Sequence, residues 1–286
     1  MPDYIRETEF GTVKINYKKR GKTGDAVFLI HGLGMGKEAW LLQVLPISKA
    51  GFTVYSYDSR GFGDSSMIEF PGDEEKALRF YSLDNDTRDL IALMDHLGIE
   101  KAHLIGISMG GLITQNTCIL HPERIISATI ANSFSYQHGR ITAAARSWEL
   151  GMEKMPFEEA FDILLPWVIG EKTLESPLFQ TVYEQMKQMY VKANNNYCFN
   201  AKIRAIRTLA PESMQERVRE IKIPVLLIGG SDDILTPPKY QEYTKSQIPH
   251  AEIVIISDAG HASILDNPEA FNSSVIAFLK KYAKNV

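Results

Sequence analysis

The chain has 286 residues, a length that allows one large α/β domain or two smaller ones. With 35 acidic and 31 basic side chains, it offers no strongly basic surface for nucleic acid or anionic membranes. Cys118 and Cys198 fit neither a zinc site nor a disulfide-stapled scaffold, so we expect no metal. The polar stretch 1–10 and the lack of an apolar run of about 20 residues favour a cytoplasmic protein that does not enter membranes.

Short apolar runs alternate with helical patterns along the chain. Near-continuous apolar runs are typical of strands buried on both faces. The predicted strands are Ala26–Ile30, Phe52–Tyr57, Ala102–Ile107, Ile125–Ile130, Ile223–Ile228 and Ile253–Ile256. The clearest amphipathic patterns predict helices at Thr87–Leu97, with candidate caps at Asp84 and Asp86, and at Met109–Leu120 and Phe271–Tyr282. The alternation predicts an α/β fold with a mostly parallel central sheet flanked by helices.

The alternation of strands and helices stops between residues 134 and 217. This stretch contains no convincing strand and reads as several helices. Prolines are expected to break these helices at Pro156, Pro166, Pro177 and Pro211. We interpret residues 134–217 as a helical cap inserted into an α/β core formed by residues 1–133 and 218–286.

The strongest chemical signal is the segment Gly106–Gly111, which reads GISMGG. It follows a predicted strand and begins a predicted helix, as a nucleophile elbow does. Such a sharp turn needs small neighbours, here Gly106 and Gly110. It presents the Ser108 hydroxyl at a helix N-terminus, where backbone N–H groups favour negative charge. The strand before and the helix after argue against a chance match, so Ser108 is the predicted nucleophile.

A second glycine-rich loop, His31–Gly34, follows the strand Ala26–Ile30. Hydrolysis of an ester needs two N–H donors for the oxyanion, and we assign them to Met109 and Leu33. The same loop could begin a dinucleotide site, but Lys37 stands where that fingerprint needs its third glycine. We therefore expect no cofactor.

A serine nucleophile needs a general base and an acid that orients it. His261 follows the last predicted strand, so it emerges at the same sheet edge as Ser108. His31 also lies at that edge, but beside the oxyanion loop, where a structural role is expected. The acid should follow the strand Ile223–Ile228, where Asp232 and Asp233 are both available.

These motifs together resemble the α/β-hydrolase superfamily over nearly the whole chain. The matching stretches are His31–Gly34, Tyr57–Ser65, Gly106–Gly111, Gly230–Pro237 and Ala259–His261. The resemblance to a G-x-x-D pattern selects Asp233 as the acid, and it implies that Tyr57–Ser65 is a structural loop.

The branch that the chain resembles holds esterases, enol-lactonases and cofactor-free haloperoxidases. Haloalkane dehalogenases and epoxide hydrolases of the superfamily use aspartate at the elbow, which Ser108 argues against. Carbon–carbon bond hydrolases often have asparagine before the serine, where this chain has Ile107.

We predict cleavage of small or medium carboxylic esters through Ser108, His261 and Asp233, with a small acyl compound as the partner. Lactonase or perhydrolase activity by the same residues is the first alternative, and a slow-turnover small-molecule receptor is the second. The segment 134–217 contains two of the three tryptophans and half of the ten methionines. Such side chains suit an adaptable apolar pocket. From these we assign pocket roles to Trp148, Met152, Trp167 and Met186, and expect acyl chains up to around eight carbons.

Overall fold

A computed structural model describes residues 3–136, 138–209 and 211–284. The described residues form one sheet of eight strands, in the order β1-β2-β4-β3-β5-β6-β7-β8. The strands are β1 Asp3–Thr8, β2 Gly11–Arg20, β3 Ala26–Ile30, β4 Thr53–Tyr57, β5 Ala102–Ile107, β6 Ile125–Ala131, β7 Val225–Gly230 and β8 Glu252–Ile256. The mostly parallel sheet predicted from the sequence is thereby confirmed.

Strands β3 to β8 run parallel to one another, whereas β2 is antiparallel to both β1 and β4. The register places Ile30 beside Gly106 and Ile107 beside Ala131. Because parallel strands end at one edge, the segments that follow β3, β5, β6, β7 and β8 all emerge there. This edge gathers residues that are far apart in the sequence.

The sequence predicted the six parallel strands, of which only the edge strand β8 is mostly exposed, and missed the hairpin of β1 and β2. The residues of β1 alternate between exposed and half-buried, so they lack the continuous apolar run that predicts a strand buried on both faces. Strand β7 begins two residues later than predicted, at Val225. The preceding Pro224 has no N–H to donate to a neighbouring strand, which explains the shift.

Helices cover both faces of the sheet and fill the insertion. They are α1 Leu41–Lys49, α2 Glu74–Phe80, α3 Leu83–His96, α4 Met109–Leu120, α5 Gly139–Lys154, α6 Phe157–Val168, α7 Glu171–Leu174, α8 Pro177–Lys192, α9 Asn196–Leu209, α10 Pro211–Arg217, α11 Pro238–Gln247, α12 Ser263–Asp266 and α13 Pro268–Tyr282. Among the described residues, no helix combines the length and the apolar character that crossing a bilayer requires.

Helix starts differ from the sequence predictions where a cap lies further upstream. Helix α3 begins at Leu83, four residues before the predicted start, because the Ser82 hydroxyl accepts a hydrogen bond from the Asn85 N–H. Helix α13 begins at Pro268, after Asn267, whose side chain accepts from the Ala270 N–H. Both predictions followed apolar periodicity, which the polar first turn of a helix does not show.

Between β6 and β7 the described chain is helical, which confirms a helical insertion. Pro156, Pro177 and Pro211 lie at the starts of α6, α8 and α10. The predicted break at Pro166 is wrong, because this residue lies inside α6, near its end. We propose that the insertion is a separate cap, with the predicted limits at 134 and 217.

Two apolar clusters pack on opposite faces of the sheet. Val27 and Leu29 of β3 belong to one cluster, together with buried side chains of α1 and α13. Phe28 and Ile30, which point the other way, belong to a second cluster that includes α3, α4 and the helices of the insertion. The insertion is therefore joined to the sheet by continuous apolar packing.

A buried ion pair also ties the insertion to the α/β core. Lys202 of α9 donates to both carboxylate oxygens of Asp86 of α3, at 2.8 and 2.7 Å. The two side chains are 0% and 1% exposed. A buried carboxylate that loses the cation hydrogen-bonded to it strongly destabilises a fold, so the fold depends on this pair.

We predict that Lys202→Met lowers the free energy of unfolding by about 3 to 5 kcal/mol, because Asp86 remains buried without its partner. Urea denaturation measures the loss. The matched control is Lys187→Met, which breaks a 2.9 Å pair with Asp162, a side chain that is 49% exposed. A loss below about 1 kcal/mol is expected there. Equal losses in the two variants would contradict a special role for the buried pair.

Candidate active site

Ser108 occupies a strained turn between β5 and α4. Its φ of 55° and ψ of −117° lie in a region that non-glycine residues rarely adopt. The turn is possible because two glycines let backbone segments meet. A Cβ on Gly106 would lie 2.1 Å from the Gly110 carbonyl oxygen, and one on Gly110 would lie 2.0 Å from the Ile30 carbonyl oxygen. The small neighbours predicted from the sequence are therefore a steric requirement.

Ser108, His261 and Asp233 form a continuous chain of hydrogen bonds. The Ser108 Oγ lies 2.8 Å from His261 Nε2, and His261 Nδ1 lies 3.0 Å from Asp233 Oδ2. Since the carboxylate accepts from Nδ1, that nitrogen carries the proton and Nε2 is free to accept one from the serine. The structure thus brings together the three side chains that were predicted from separate motifs.

Asp233 sits in a buried nest of donors. Its Oδ1 accepts from the N–H groups of Leu235 and Thr236 at 2.9 and 2.7 Å. Burial alone would raise its pKa, but the contact with His261 and the hydrogen bonds from Thr236 and Asn132 lower the pKa to about 2. Asp233 is therefore a carboxylate at neutral pH. Asp232, by contrast, is exposed and accepts from the Ser231 hydroxyl.

The two predicted oxyanion donors flank the serine. Met109 is the first residue of α4, so its N–H has no acceptor within the helix. Leu33 lines the cavity beside Ser108. His31 supports this loop: its Nε2 accepts from the Ser59 N–H at 2.9 Å, and its Nδ1 lies 2.8 Å from the Gly32 carbonyl oxygen. Burial lowers the pKa of His31, which favours the neutral ring that this arrangement needs.

Two residues around Asp233 were not predicted from the sequence. Asn132, just after β6, donates to Asp233 Oδ2 at 3.0 Å and accepts from the Ser263 hydroxyl. Its φ of 44° is positive, which marks a constrained position. Thr236 donates its hydroxyl to Asp233 Oδ2 at 2.6 Å. The available signal for Asn132 was a polar residue directly after a buried strand.

The helical insertion contacts two loops of the site, the one that contains Leu33 and the one that precedes His261. Asn194, after α8, donates to the Gly34 carbonyl oxygen at 2.6 Å, which fixes the loop that contains Leu33. On the other side, Asp266 accepts from the N–H groups of Gly260 and Gly170 at 2.8 and 3.1 Å. It therefore joins the loop before His261 to the start of α7. These contacts show that the insertion shapes the site as well as covering it.

Two cavities border Ser108, and we call them the first and the second lobe. Leu33, Ser108, Trp148 and Leu235 line both lobes. The first lobe, of about 100 Å³, lies beside His261 and is otherwise lined mainly by apolar side chains of α6 and α8. The second lobe, of about 70 Å³, lies beside Met109 and is also lined by Leu112, Phe134, Ile141, Ile203, Arg207 and Thr236.

Two of the four pocket residues predicted from composition line the lobes, and two do not. Trp148 lines both lobes, and Met186 lines the first. Met152 does not line either lobe; it is buried against the core and borders an outer groove. Trp167 lies outside both linings as well and packs against the core. Composition identified the enriched segment, but the side of each helix that faces Ser108 depends on tertiary packing.

The described residues contain no group of three or more histidine, cysteine, aspartate or glutamate side chains placed to hold a metal ion. The cavity lining is mostly apolar, with Ser108, Thr236, His261 and Arg207 as its main polar side chains. Such a lining suits an organic substrate with a few oriented polar contacts.

A family model described as "alpha/beta hydrolase fold" matches residues 25–268. The chain belongs to this family. The match covers every strand of the parallel part of the sheet and all three residues of the hydrogen-bonded chain. The protein is therefore a hydrolase of the alpha/beta hydrolase fold.

Within the alpha/beta hydrolase fold family, the chain is similar to 3-oxoadipate enol-lactonase 1 of Acinetobacter baylyi. The identity is 30% over 257 residues, 89% of this chain and 88% of that protein. Bifunctional epoxide hydrolase 2 of Sus scrofa is 25% identical over 96% of this chain, which spans 54% of that protein's length. The solved enol-lactonase of Burkholderia xenovorans has a TM-score of 0.84 at 24% identity, covering 97% of this chain and all of that one, which supports the fold alone.

Proposed function

We propose that this hydrolase cleaves small or medium carboxylic esters through an acyl-enzyme on Ser108. The observation that carries the proposal is the chain of hydrogen bonds from Ser108 through His261 to Asp233, located where the two cavity lobes meet. A serine hydroxyl is a weak nucleophile until a base accepts its proton, and this arrangement supplies that base.

In the first half of the reaction, the Ser108 oxygen bonds to the ester carbonyl carbon while His261 Nε2 takes the hydroxyl proton. The oxyanion accepts from the N–H groups of Leu33 and Met109. His261 then gives its proton to the departing alkoxide oxygen, and the alcohol leaves. Asp233 holds the ring in orientation and stabilises its charged form.

In the second half, water takes the place of the alcohol. His261 removes a proton from that water, whose oxygen attacks the acyl carbon and forms a second oxyanion. Collapse of this intermediate breaks the bond to Ser108, whose oxygen regains a proton from His261. The products are one carboxylic acid and one alcohol for each ester, and no cofactor is consumed.

A lactone is a cyclic ester, and the same steps would open it. The similarity to an enol-lactonase at 30% identity makes lactones the second candidate substrates. The similarity to an epoxide hydrolase is less informative, because the elbow position that is aspartate in the superfamily's epoxide hydrolases is Ser108 here. Ligand binding with slow turnover is tested by counting turnovers on p-nitrophenyl esters, and perhydrolysis by a parallel assay of acid plus peroxide.

We predict multiple turnovers on p-nitrophenyl esters, with kcat/KM rising from acetate and reaching its maximum at or below about eight acyl carbons. Each buried CH₂ should contribute roughly 0.8 kcal/mol until the lobe is full. The measurement is kcat/KM for each ester from acetate to palmitate, beside a lactone panel and a thioester panel.

Three results would contradict the proposal. Release limited to about one nitrophenolate per protein would indicate a receptor or a stalled acyl-enzyme. A maximum at palmitate would contradict the small cavity. A larger kcat/KM for acid plus peroxide than for ester plus water would assign the site to perhydrolysis.

A further inference from the structure

We propose that the second lobe binds an acyl chain that ends in a carboxylate, and that Arg207 is the residue that recognises it. The inference rests on the proposed ester hydrolysis and assigns its substrate class: half-esters of short dicarboxylic acids. It begins with the assignment of the two lobes to the two halves of an ester.

The position of His261 decides which lobe holds the leaving group. In the acylation step His261 Nε2 must protonate the departing oxygen, so the alcohol part lies against that ring. His261 lines the first lobe and is absent from the lining of the second. The second lobe, which lies beside Met109, therefore accepts the acyl chain.

The second lobe contains a charged group that an alkyl chain alone would not need. Among the described residues that line either lobe, Arg207 is the only lysine, arginine, aspartate or glutamate. The neighbouring side chains Leu112, Ile141 and Ile203 are apolar. A guanidinium next to an apolar lobe is suited to a substrate whose chain is apolar near Ser108 and anionic further away.

Two buried donors in this lining lack a protein acceptor. They are Arg207 Nε and Trp148 Nε1, neither of which has a hydrogen-bond partner among the described residues. Trp148 is only 8% exposed. Both orphan atoms are N–H donors, whereas the Ser108 and Thr236 hydroxyls of the same lining are already engaged with His261 and Asp233. Both nitrogens are shielded from open space, so recognition of a ligand rests on the accessible part of the Arg207 side chain.

A contact with Glu149 orients the Arg207 side chain and leaves other N–H groups of the guanidinium without an acceptor among the described residues. Its Nη2 donates to Glu149 Oε2 at 2.9 Å, and Glu149 also pairs with Arg204. Arg204 in turn pairs with Glu153. A guanidinium has five N–H groups, so the one contact to Glu149 leaves others for a carboxylate. The Arg207 side chain is 29% exposed, so the carboxylate end of the ligand would lie at the solvent margin of the lobe.

A purely structural role is the competing explanation, in which Arg207 only pairs with Glu149 to join α9 to α5. That role explains the Nη2 contact. It does not explain the placement of Arg207 in the cavity lining. Because Glu149 keeps Arg204 as a cation, Arg207→Gln leaves no buried carboxylate unpaired, and the two explanations can be separated by experiment.

The test compares monobenzyl esters of succinic, glutaric, adipic and pimelic acid at pH 7.5 with the matching esters whose free carboxyl is a primary amide. Benzyl alcohol release gives kcat/KM for both members of each pair. We expect the acid member of the best pair to exceed its amide by about tenfold or more, the range of one charge-assisted hydrogen bond. Arg207→Gln should bring this ratio to about one, and Arg204→Gln should leave it unchanged.

Binding gives a second readout that does not need turnover. Calorimetric titration of wild type and Arg207→Gln with the dicarboxylic acid of the best pair should show about tenfold weaker binding in the variant. An acid-to-amide ratio at or below one in the wild type, or a ratio that Arg207→Gln leaves unchanged, would overturn the proposal while leaving ester hydrolysis intact. Failure of the wild type to hydrolyse any neutral or acidic ester would contradict the proposed function instead, and the titration would then decide on the Arg207 site alone.

Discussion

Replacing Ser108 with alanine should lower kcat on a p-nitrophenyl ester by about 10⁶-fold, because the acyl-enzyme can no longer form. The fold should be retained. The serine hydroxyl contacts His261, while the strained turn depends on Gly106 and Gly110, which the variant keeps. The measurements are kcat for both proteins and the far-ultraviolet circular dichroism and unfolding midpoint of each.

Chemical labelling provides the control for this prediction. A sulfonyl fluoride or an organophosphate should add one covalent group to the wild type, and peptide mapping should place it on Ser108. The alanine variant should remain unlabelled. Activity in the purified variant within about a hundredfold of wild type, with contaminating esterases excluded, would show that another residue is the nucleophile.

Replacing Asp233 with asparagine should lower kcat by about 10⁴-fold. The structure gives the physical reason. Both carboxylate oxygens receive hydrogen bonds: the N–H groups of Leu235 and Thr236 donate to Oδ1, while the Asn132 amide and the Thr236 hydroxyl donate to Oδ2. An asparagine NH₂ group placed at either oxygen position would face donors, and His261 would lose the charge that stabilises its protonated form.

Asp232→Asn is the matched control for Asp233→Asn, because the two residues are adjacent in the chain. Asp232 is exposed and accepts a hydrogen bond from Ser231, away from the His261 ring. Its variant should keep kcat within a few-fold of wild type. The reverse ranking of the two variants would assign the acid to Asp232 and would mean that the loop is rearranged in the active protein.

Most of the parallel part of the fold could be predicted because the strands inside the sheet are buried on both faces. Such strands are continuous apolar runs, and Ala26–Ile30 and Ala102–Ile107 have the bounds that were predicted. The antiparallel hairpin at the sheet edge was missed because only one face of Asp3–Thr8 is covered. The break predicted at Pro166 is wrong, because helix α6 continues through this residue to Val168.

A residue of the candidate site could be predicted only where a nearby turn or strand end in the sequence sets its position. Ser108 was identified because a sharp strand-to-helix turn requires glycines at set distances on either side. His261 and the adjacent pair Asp232 and Asp233 were identified because they follow strands that end at the same edge, and the family resemblance then selected Asp233. Asn132 also follows a strand at this edge, but its role depends on a contact with Asp233, 101 positions further along the chain. Arg207 has no local signal of this kind.

By itself, the sequence determined the six parallel strands, the helical insertion between the fourth and the fifth of them in chain order, the elbow at Ser108 and the residues that follow β7 and β8. These are local properties, set by side-chain periodicity and by the space that a backbone turn allows. Only the tertiary structure decided that Trp148 and Met186 line the cavity while Met152 and Trp167 do not, and that Arg207 borders the second lobe. The reason is that helix packing decides which side of each inserted helix faces Ser108, and that packing depends on contacts between distant parts of the chain.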